Sequence, residues 1–478
     1  MGLNIGGKYP TSRPSINWDF ANAGSLPPGI EFDRSTNATY LDRDGFIKTA
    51  YANVPRFDHD PTTLEPLGLL KEDARTNYID NTALISGWTT GTAGDTFVDS
   101  LGVSEQQEKA PDGSSAYYYK PSSNSGHHRY SKGVTVPTLD TTYVVSVFAK
   151  RVLDGSVSNL NRYLEIEVTG NFTGNAQPTG HTGTHGGSNV TFDLQDEEIE
   201  VQTANAWGYV GNARMVKYPN GWYRLSFCFN PGVGSNFTGT VWLGHPTVLG
   251  GDVGNETGNG NPSFYLWGCN VQNAGDQDEC FSYIVGSTTR QKDNLIARNP
   301  DFTFPATIVT EFTTLTHKYA RRLYGINPES GSDTLRPYLA DNGGMGYYTT
   351  YGNVQTDDIG TGASASGSAL LRESTTGDCS KNFYGPTKHA WAVGFGDTEN
   401  AEGFKLCCNG IMQNSGNAIA STLHGTHKNI STVKIGYASQ GDNPREWCGH
   451  YKSIRIYSHY LGNDSMVSLT KDYNFAGV

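Results

Sequence analysis

The chain has 478 residues and a formal net charge of −12, with 17% charged, 36% hydrophobic and 12% aromatic residues. That balance excludes the broad basic face that nucleic-acid binding requires and disfavours an anionic membrane surface as partner. No stretch approaches the ~20 consecutive apolar residues that span a bilayer. The length fits two to four domains on the usual ~100–200 residues each. Fifty-eight glycines, with many aromatics, threonines and serines, favour short strands joined by tight turns over long helices.

Residues 1–16 contain Lys8 and Arg13, no acid and two prolines, and read as an arm; Met1 to Pro10 lacks the apolar core of a signal peptide. Residues 17 to about 80 are rich in Pro, Asn and Asp and read as an extended, loop-heavy region. Clear strand signals follow. Val144 to Phe148 is one. In Arg162 to Val168, Leu164, Ile166 and Val168 alternate with Tyr163, Glu165 and Glu167, the period of a half-buried strand. Trp222 to Phe229 repeats the pattern, with Tyr223, Leu225, Phe227 and Phe229 on one face, and Phe264 to Val271 is another strand. Gly/Asn/Ser/Thr clusters such as 169–189 and 250–261 lie between them. A break falls near Asn299-Pro300. Beyond it Ile308 to Phe312 opens a new alternating pattern, and Ile454 and Ile456 alternate with Arg455 and Tyr457 near the end. Regularly spaced short strands with such turns indicate sandwiches or barrels. No sustained heptads mark a coiled-coil stalk.

Signals for chemistry are sparse. Seven cysteines, an odd number, are far too few for a disulfide scaffold and read as buried thiols, with Cys269 and Cys280 as a pair that could close a loop. No G-x-S-x-G elbow occurs. Cys407-Cys408 should place one thiol inside and one outside its strand. His181 and His185 are four apart, but in a Gly/Thr-rich loop where that spacing selects no metal; His127-His128 reads as a solvated loop or a contact to another chain. Glu165 with Glu167, and the acids of Asp196 to Glu200, are the carboxylate pairs a glycosidase would need, and a solvated strand face is the plainer reading. Asp58-His59-Asp60 suggests a relay, but in a Pro-rich segment it reads as a hydrogen-bonding turn. Seven Asn-x-Ser/Thr sequons follow from Asn- and Thr-rich loops rather than from glycosylation. Glycan binding needs exposed aromatic faces flanked by polar groups, and Tyr118, Trp207, Trp242, Tyr348 and Tyr351 are the candidates.

Three stretches carry a resemblance. The first runs from Asp19-Phe20 to Asn77 through Leu26-Pro27-Pro28-Gly29-Ile30, Phe32-Asp33-Arg34-Ser35, Asn53-Val54-Pro55-Arg56-Phe57-Asp58, Gly68-Leu69-Leu70 and Ala74-Arg75-Thr76-Asn77. It resembles a segment that recurs in phage tail-fibre, head-fibre and related virion proteins. The second, about 112–296, holds Tyr143 to Lys150, Asn220 to Arg224, Leu266-Trp267-Gly268, Ser282-Tyr283-Ile284, Thr288-Thr289-Arg290 and Asp293. It is similar to the carbohydrate-binding-module-like jelly roll that follows that segment in the same proteins. The third, about 302–478, with Lys434-Ile435-Gly436, Ser453 to Tyr457 and Met466 to Thr470, resembles the closing strands of laminin-G or concanavalin-like sandwiches.

The resemblance implies an all-β chain of two antiparallel β-sandwiches after an extended N-terminal arm: 1–80 for virion attachment, 81–298 a jelly roll, and 299–478 a laminin-G/concanavalin-like sandwich. Lys8, Tyr9, Arg13 and Trp18 are the expected attachment residues. The implied role is a non-enzymatic virion structural protein, at the tail, baseplate or capsid surface, that engages host-surface polysaccharide. The alternatives are a capsid cement protein without ligand and a tail-associated polysaccharide depolymerase. Expected partners are other virion proteins and further copies of the chain, as a trimer, with no nucleic acid and no membrane insertion. Assembly would take place in the host bacterial cytoplasm. No cofactor is assigned. A laminin-G-like sandwich can hold calcium, and Asp357, Asp358, Asp397 and Glu399 are where it would sit, although solvated loop acids are the plainer reading.

Overall fold

A computed structural model describes residues 13–79, 88–99, 108–138, 141–153, 161–172, 186–201, 209–232, 235–275 except 252 and 255, 281–302, 306–315, 321–328, 430–436 and 446–470. Short stretches between 334 and 412 are described mainly at the level of their strands. The architecture is all-β, as expected, with the strands paired antiparallel in several sheets. Among the described residues no helix is long and apolar enough to cross a membrane.

The jelly roll is two six-stranded sheets face to face. One runs Tyr209–Tyr218, Trp222–Asn230, Thr142–Arg151, Phe264–Gly275, Tyr117–Lys120, Thr96–Asp99. The other runs Glu198–Val201, Gly186–Asp193, Tyr163–Gly170, Ser235–Gly244, Arg129–Thr138, Thr89–Thr90. Their inner faces interdigitate as one apolar core that includes Val145, Val147, Leu225, Phe227, Ile166 and Val241. The alternation seen in Tyr163–Gly170 and Trp222–Asn230 is that of these inner faces, since Leu164, Ile166, Val168, Leu225, Phe227 and Phe229 are all buried.

The second sandwich draws strands from both ends of the chain. One sheet runs Ile411–Met412, Phe404–Cys408, Thr387–Phe395, Ala306–Thr314, Gly449–Tyr457, Pro66–Lys71, Phe57–His59, with Ile16–Asp19 also on Gly449–Tyr457. The facing sheet begins Ile30–Asp33, Asn294–Arg298, Ile430–Ile435, Tyr324–Pro328. Trp18, Phe20 and Leu69 share its core with Ile308, Trp447 and Ile454. Gly68 shows why this segment has its particular residues: its φ is +97°, and a Cβ there would lie 2.2 Å from the Tyr451 carbonyl oxygen, so only glycine fits.

Strand pairing therefore divides the chain differently from the linear three-part expectation. Ile16–Asp19, Ile30–Asp33, Phe57–His59 and Pro66–Lys71 are woven into the second sandwich, and Asn294–Arg298 belongs there too, whereas the hairpin Ala38–Leu41/Ile47–Ala50 packs its Leu41 and Ile47 against Phe148 and Trp222 of the jelly roll. The jelly roll is an insertion between the two halves of that sandwich. The physical reason is edge satisfaction: Ile30–Asp33 and Pro66–Lys71 pair with strands more than 250 residues distant, which sequence periodicity cannot register.

A buried ionic clasp closes the insertion. Arg34 meets Asp293 at 2.9 Å; Arg56 bridges Asp293 and Glu72 at 2.5 Å each; Arg290 meets Glu72 at 2.9 Å. The Ser282 amide and hydroxyl donate to Glu72, each at 2.7 Å, and the Glu72 amide donates to Asp293. Burial pushes the Glu72 carboxyl up, but Arg290 and Arg56 outweigh it and hold the group well below the usual carboxylate range. Burial likewise pulls the Arg34 and Arg290 guanidiniums down. The residues of Phe32-Asp33-Arg34, Pro55-Arg56-Phe57 and Thr289-Arg290 thus hold the two halves together. Beside the clasp, Lys71 is fully buried and donates to Glu446 and to the Trp447 carbonyl.

Candidate functional site

A cavity of about 320 Å³ opens where the N-terminal segment, the outer face of a jelly-roll sheet and the second sandwich meet. Each wall has a local cause. In Trp222–Asn230 the residues that alternate with the core face, Arg224 and Ser226, face outward into the cavity. Phe148 joins them from the neighbouring strand Thr142–Arg151, which is buried on both sides. Tyr209–Tyr218 supplies Arg214, Val216 and Tyr218. From the N-terminal segment come Tyr40, Leu41, Asp58, His59 and Asp60, from the crossing loop Tyr283, and from the second sandwich Thr313 and His450.

The polar groups are held in place. His450 Nε2 lies 2.9 Å from Asp58 Oδ2, and its Nδ1 lies 2.7 Å from the Thr313 hydroxyl. The Leu41 amide donates to the other Asp58 oxygen at 2.7 Å. Asp60 accepts from the Thr62 and Thr63 amides, the turn expected of it, and His59 Nδ1 lies 3.1 Å from the Leu41 carbonyl oxygen. The Asp58-His59-Asp60 relay is thus divided: Asp58 pairs with a histidine 392 residues away, while Asp60 makes the turn. Arg224 is 8% exposed, donates to Ser146 and stands 5.4 Å over the Phe148 ring. Tyr218 meets Phe148 edge to face at 5.0 Å. The result is aromatic rings beside cationic and anionic hydrogen-bonding groups, the make-up of a site for a polar ligand with apolar faces.

The aromatics expected to bind glycan lie elsewhere. Tyr118 is 6% exposed and packs edge to face on Tyr265. Trp242 is half-buried on the outer face of the other jelly-roll sheet. The Arg129 guanidinium sits 3.9 Å from its ring centre, and its indole NH donates to Thr169. Arg129 is itself 3.6 Å from Glu167. Trp207 lies outside the described residues; Tyr348 and Tyr351 fall on the strand Met345–Tyr351, their side chains likewise outside. Of the expected attachment residues, Lys8 and Tyr9 lie outside the described residues, Arg13 is exposed, and Trp18 is a core residue of the second sandwich.

The remaining chemical candidates are placed as follows. Glu165 is buried and accepts from Asn189 rather than facing water, so it does not pair with Glu167 on an open face. Asp196 forms an ion pair with Arg162. His128 is buried with Nδ1 3.0 Å from Asp95, whose other oxygen accepts from Tyr119, in place of the expected solvated loop. Cys407 is buried, and burial pushes the Cys269 thiol up. His181, His185, Cys280, Asp397 and Glu399 lie outside the described residues, as do the side chains of Cys408, Asp357 and Asp358. Among the described residues no group of three or more metal-ligating side chains converges. The cavity could be read in the sequence only in part. The outward positions of Trp222–Asn230 were visible, but the partners brought to them were not.

No family model and no curated protein matches the chain. Among solved structures it is similar to the carbohydrate-binding module of the Ruminococcus gnavus intramolecular trans-sialidase bound to α2,6-sialyllactose, at 19% identity over 35% of this chain and 84% of that one, with a TM-score of 0.27. It is also similar to the leech intramolecular trans-sialidase, at 14% identity over 38% of this chain and 28% of that one, TM-score 0.27. A third match is the Trypanosoma rangeli sialidase in complex with sialic acid, at 12% identity over 74% of this chain and 60% of that one, TM-score 0.25. The expectation of a non-enzymatic chain is corrected here, because whole enzymes stand among these matches, and it is withdrawn. At such scores the likenesses assign neither an activity nor a ligand, and the all-β fold rests on the strand pairing itself.

Proposed function

We propose that this chain is a phage virion-surface protein whose interdomain cavity holds a saccharide unit of the host surface. The observation that carries the reading is the cavity. Its volume falls within the ~300–1,000 Å³ of small-molecule sites, and Tyr218 and Tyr40 stand beside Arg214, Asp58 and Asp60 in its walls. Sugars present C–H faces to rings and hydroxyls to charged groups, and these walls offer both. The virion assignment is supported by the first resemblance, which Arg34 and Arg56 are among the residues to carry. Further virion proteins and copies of the chain, as a homotrimer, are the proposed partners, and several copies would turn weak sugar contacts into firm attachment.

The test is an array of bacterial surface glycans probed with the whole protein and with Tyr218→Ala. We expect retention on at least one polysaccharide and a loss of tenfold or more in the variant. Retention unchanged by Tyr218→Ala would remove the cavity from the reading. Locating the chain in intact particles by electron microscopy tests the virion assignment.

A further inference from the structure

We infer that the cavity hydrolyses a carboxylic ester carried by its sugar, an O-acetyl or related acyl group, with Thr313 as the nucleophile, His450 as the general base and Asp58 as the residue that positions His450. The inference rests on the saccharide reading of the same cavity and adds a reaction to it. It is carried by a chain of two hydrogen bonds whose three members all line the cavity. The Thr313 hydroxyl is 2.7 Å from His450 Nδ1, and His450 Nε2 is 2.9 Å from Asp58 Oδ2. The Asp58 carboxylate accepts from Nε2–H, which leaves Nδ1 of a neutral imidazole as the acceptor for the hydroxyl. Hydroxyl, imidazole and carboxylate in that order activate a serine or threonine, and the arrangement is recognised by geometry and not by position in the chain.

Strands of one sheet bring the three groups together. Ala306–Thr314 and Gly449–Tyr457 pair Glu311 with Ser453 but next pair Phe312 with Tyr451, so Lys452 is an extra residue. The bulge joins Phe312 to Tyr451 in the core and sets Thr313 opposite His450 on the cavity face. Without it Thr313 would stand opposite Tyr451. Bulges re-aim side chains in this way beside active sites. Asp58 lies beyond the intervening strand Pro66–Lys71, whose close approach to Gly449–Tyr457 depends on Gly68. The Leu41 amide fixes the other Asp58 oxygen. Leu41, Ile47 and Leu70 give the acyl group an apolar wall. Tyr40 keeps its phenolic proton, because burial and the charges of Asp42 and Asp58 push its pKa up, and it supplies a neutral donor to the oxyanion. In the reaction Thr313 Oγ1 attacks the acyl carbon and its proton passes to His450 Nδ1. The tetrahedral intermediate collapses as the bond from the acyl carbon to the sugar oxygen breaks, and His450 returns the proton to that oxygen. Water then attacks the acyl-threonine, giving its proton to His450, and the carboxylic acid leaves with the Thr313 hydroxyl restored.

The experiment incubates the whole protein with para-nitrophenyl acetate and with peracetylated methyl glucoside and methyl galactoside, and follows the release of nitrophenol and acetate. The expected result is release from at least one probe, slowed about a hundredfold or more in Thr313→Val, which keeps the side chain's shape, and retained in Thr313→Ser. Glycan-array retention unchanged in Thr313→Val shows that the fold is kept. Asp58→Asn should lower kcat without raising KM, because an amide N–H facing Nε2 moves the imidazole proton to Nδ1 and removes the acceptor for the hydroxyl. No release from any probe, or release unchanged in Thr313→Val, would overturn the ester inference, and the saccharide reading stands if array retention is still lost in Tyr218→Ala. No release from any probe, with array retention also unchanged by Tyr218→Ala, would overturn both.

Discussion

Glu72 is where the fold is most sensitive to a single atom. Its carboxylate is buried between Arg56 and Arg290 and takes two donors from Ser282. Replacing it by glutamine leaves two buried guanidiniums short of an anion, which should cost ~3–5 kcal/mol, seen as a lowered melting temperature of the second sandwich. The sign with pH follows. The folded carboxyl lies below its ordinary 4.5, so it binds fewer protons than the unfolded one. Its stabilisation is complete above about 4.5 and is lost as acid titrates the folded group. Melting temperature should therefore fall steeply below that pH in the native protein and less steeply in Glu72→Gln. Arg34, Arg56, Arg290 and Asp293 were legible in the sequence as parts of recurring segments, but not as one cluster. Glu72 carried no signal at all, because, Arg56 apart, the partners that define it lie more than 200 residues away. The same distance hid Asp58 and His450 from each other.

At the scale of the element, strands with one clean apolar face were read correctly because period-two alternation is a local property. Trp222–Asn230 tests this directly. Phe227→Ala, on the core face, should cost ~3–5 kcal/mol by opening a void, whereas Ser226→Ala, on the cavity face, should leave the melting temperature nearly unchanged. Tyr209–Tyr218 was not read, since its bulge breaks the alternation in Gly211 to Arg214 and leaves no regular pattern to find. That irregularity predicts an ordering at position 212. Asn212→Gly should be tolerated, while Asn212→Val, a β-branched residue forced to positive φ, should destabilise by ~1–3 kcal/mol in thermal melts. Only the second should also weaken ligand binding, because it disturbs the bulge next to Arg214 in the cavity wall.

At the scale of the molecule, the two sandwiches were foreseen but their connectivity was not. Periodicity reports which face of a strand is apolar and is silent on which distant edge will cover it. The insertion makes asymmetric demands on folding. A fragment spanning 80–280 contains both sheets of the jelly roll and should melt cooperatively on its own. A fragment spanning 299–478 lacks Ile30–Asp33, Asn294–Arg298 and Pro66–Lys71, leaving two strand edges bare and the core without Leu69. It should be aggregated or unfolded by circular dichroism, and co-expression with residues 1–80 should recover soluble material. Light scattering on the whole protein, with three chain masses expected, tests the assembly.

The pairing of Ile16–Asp19 with Ile456–Ser453 has a mechanical consequence. A pull on the chain at residue 13 runs along that strand's own axis, so its hydrogen bonds bear load in parallel rather than one after another. Trp18, anchored in the core beneath, must be dragged out in the same motion. A tether joined there would yield in shear, abruptly and at high force, while load applied through the cavity would be shared by the clasp at the root of the inserted jelly roll.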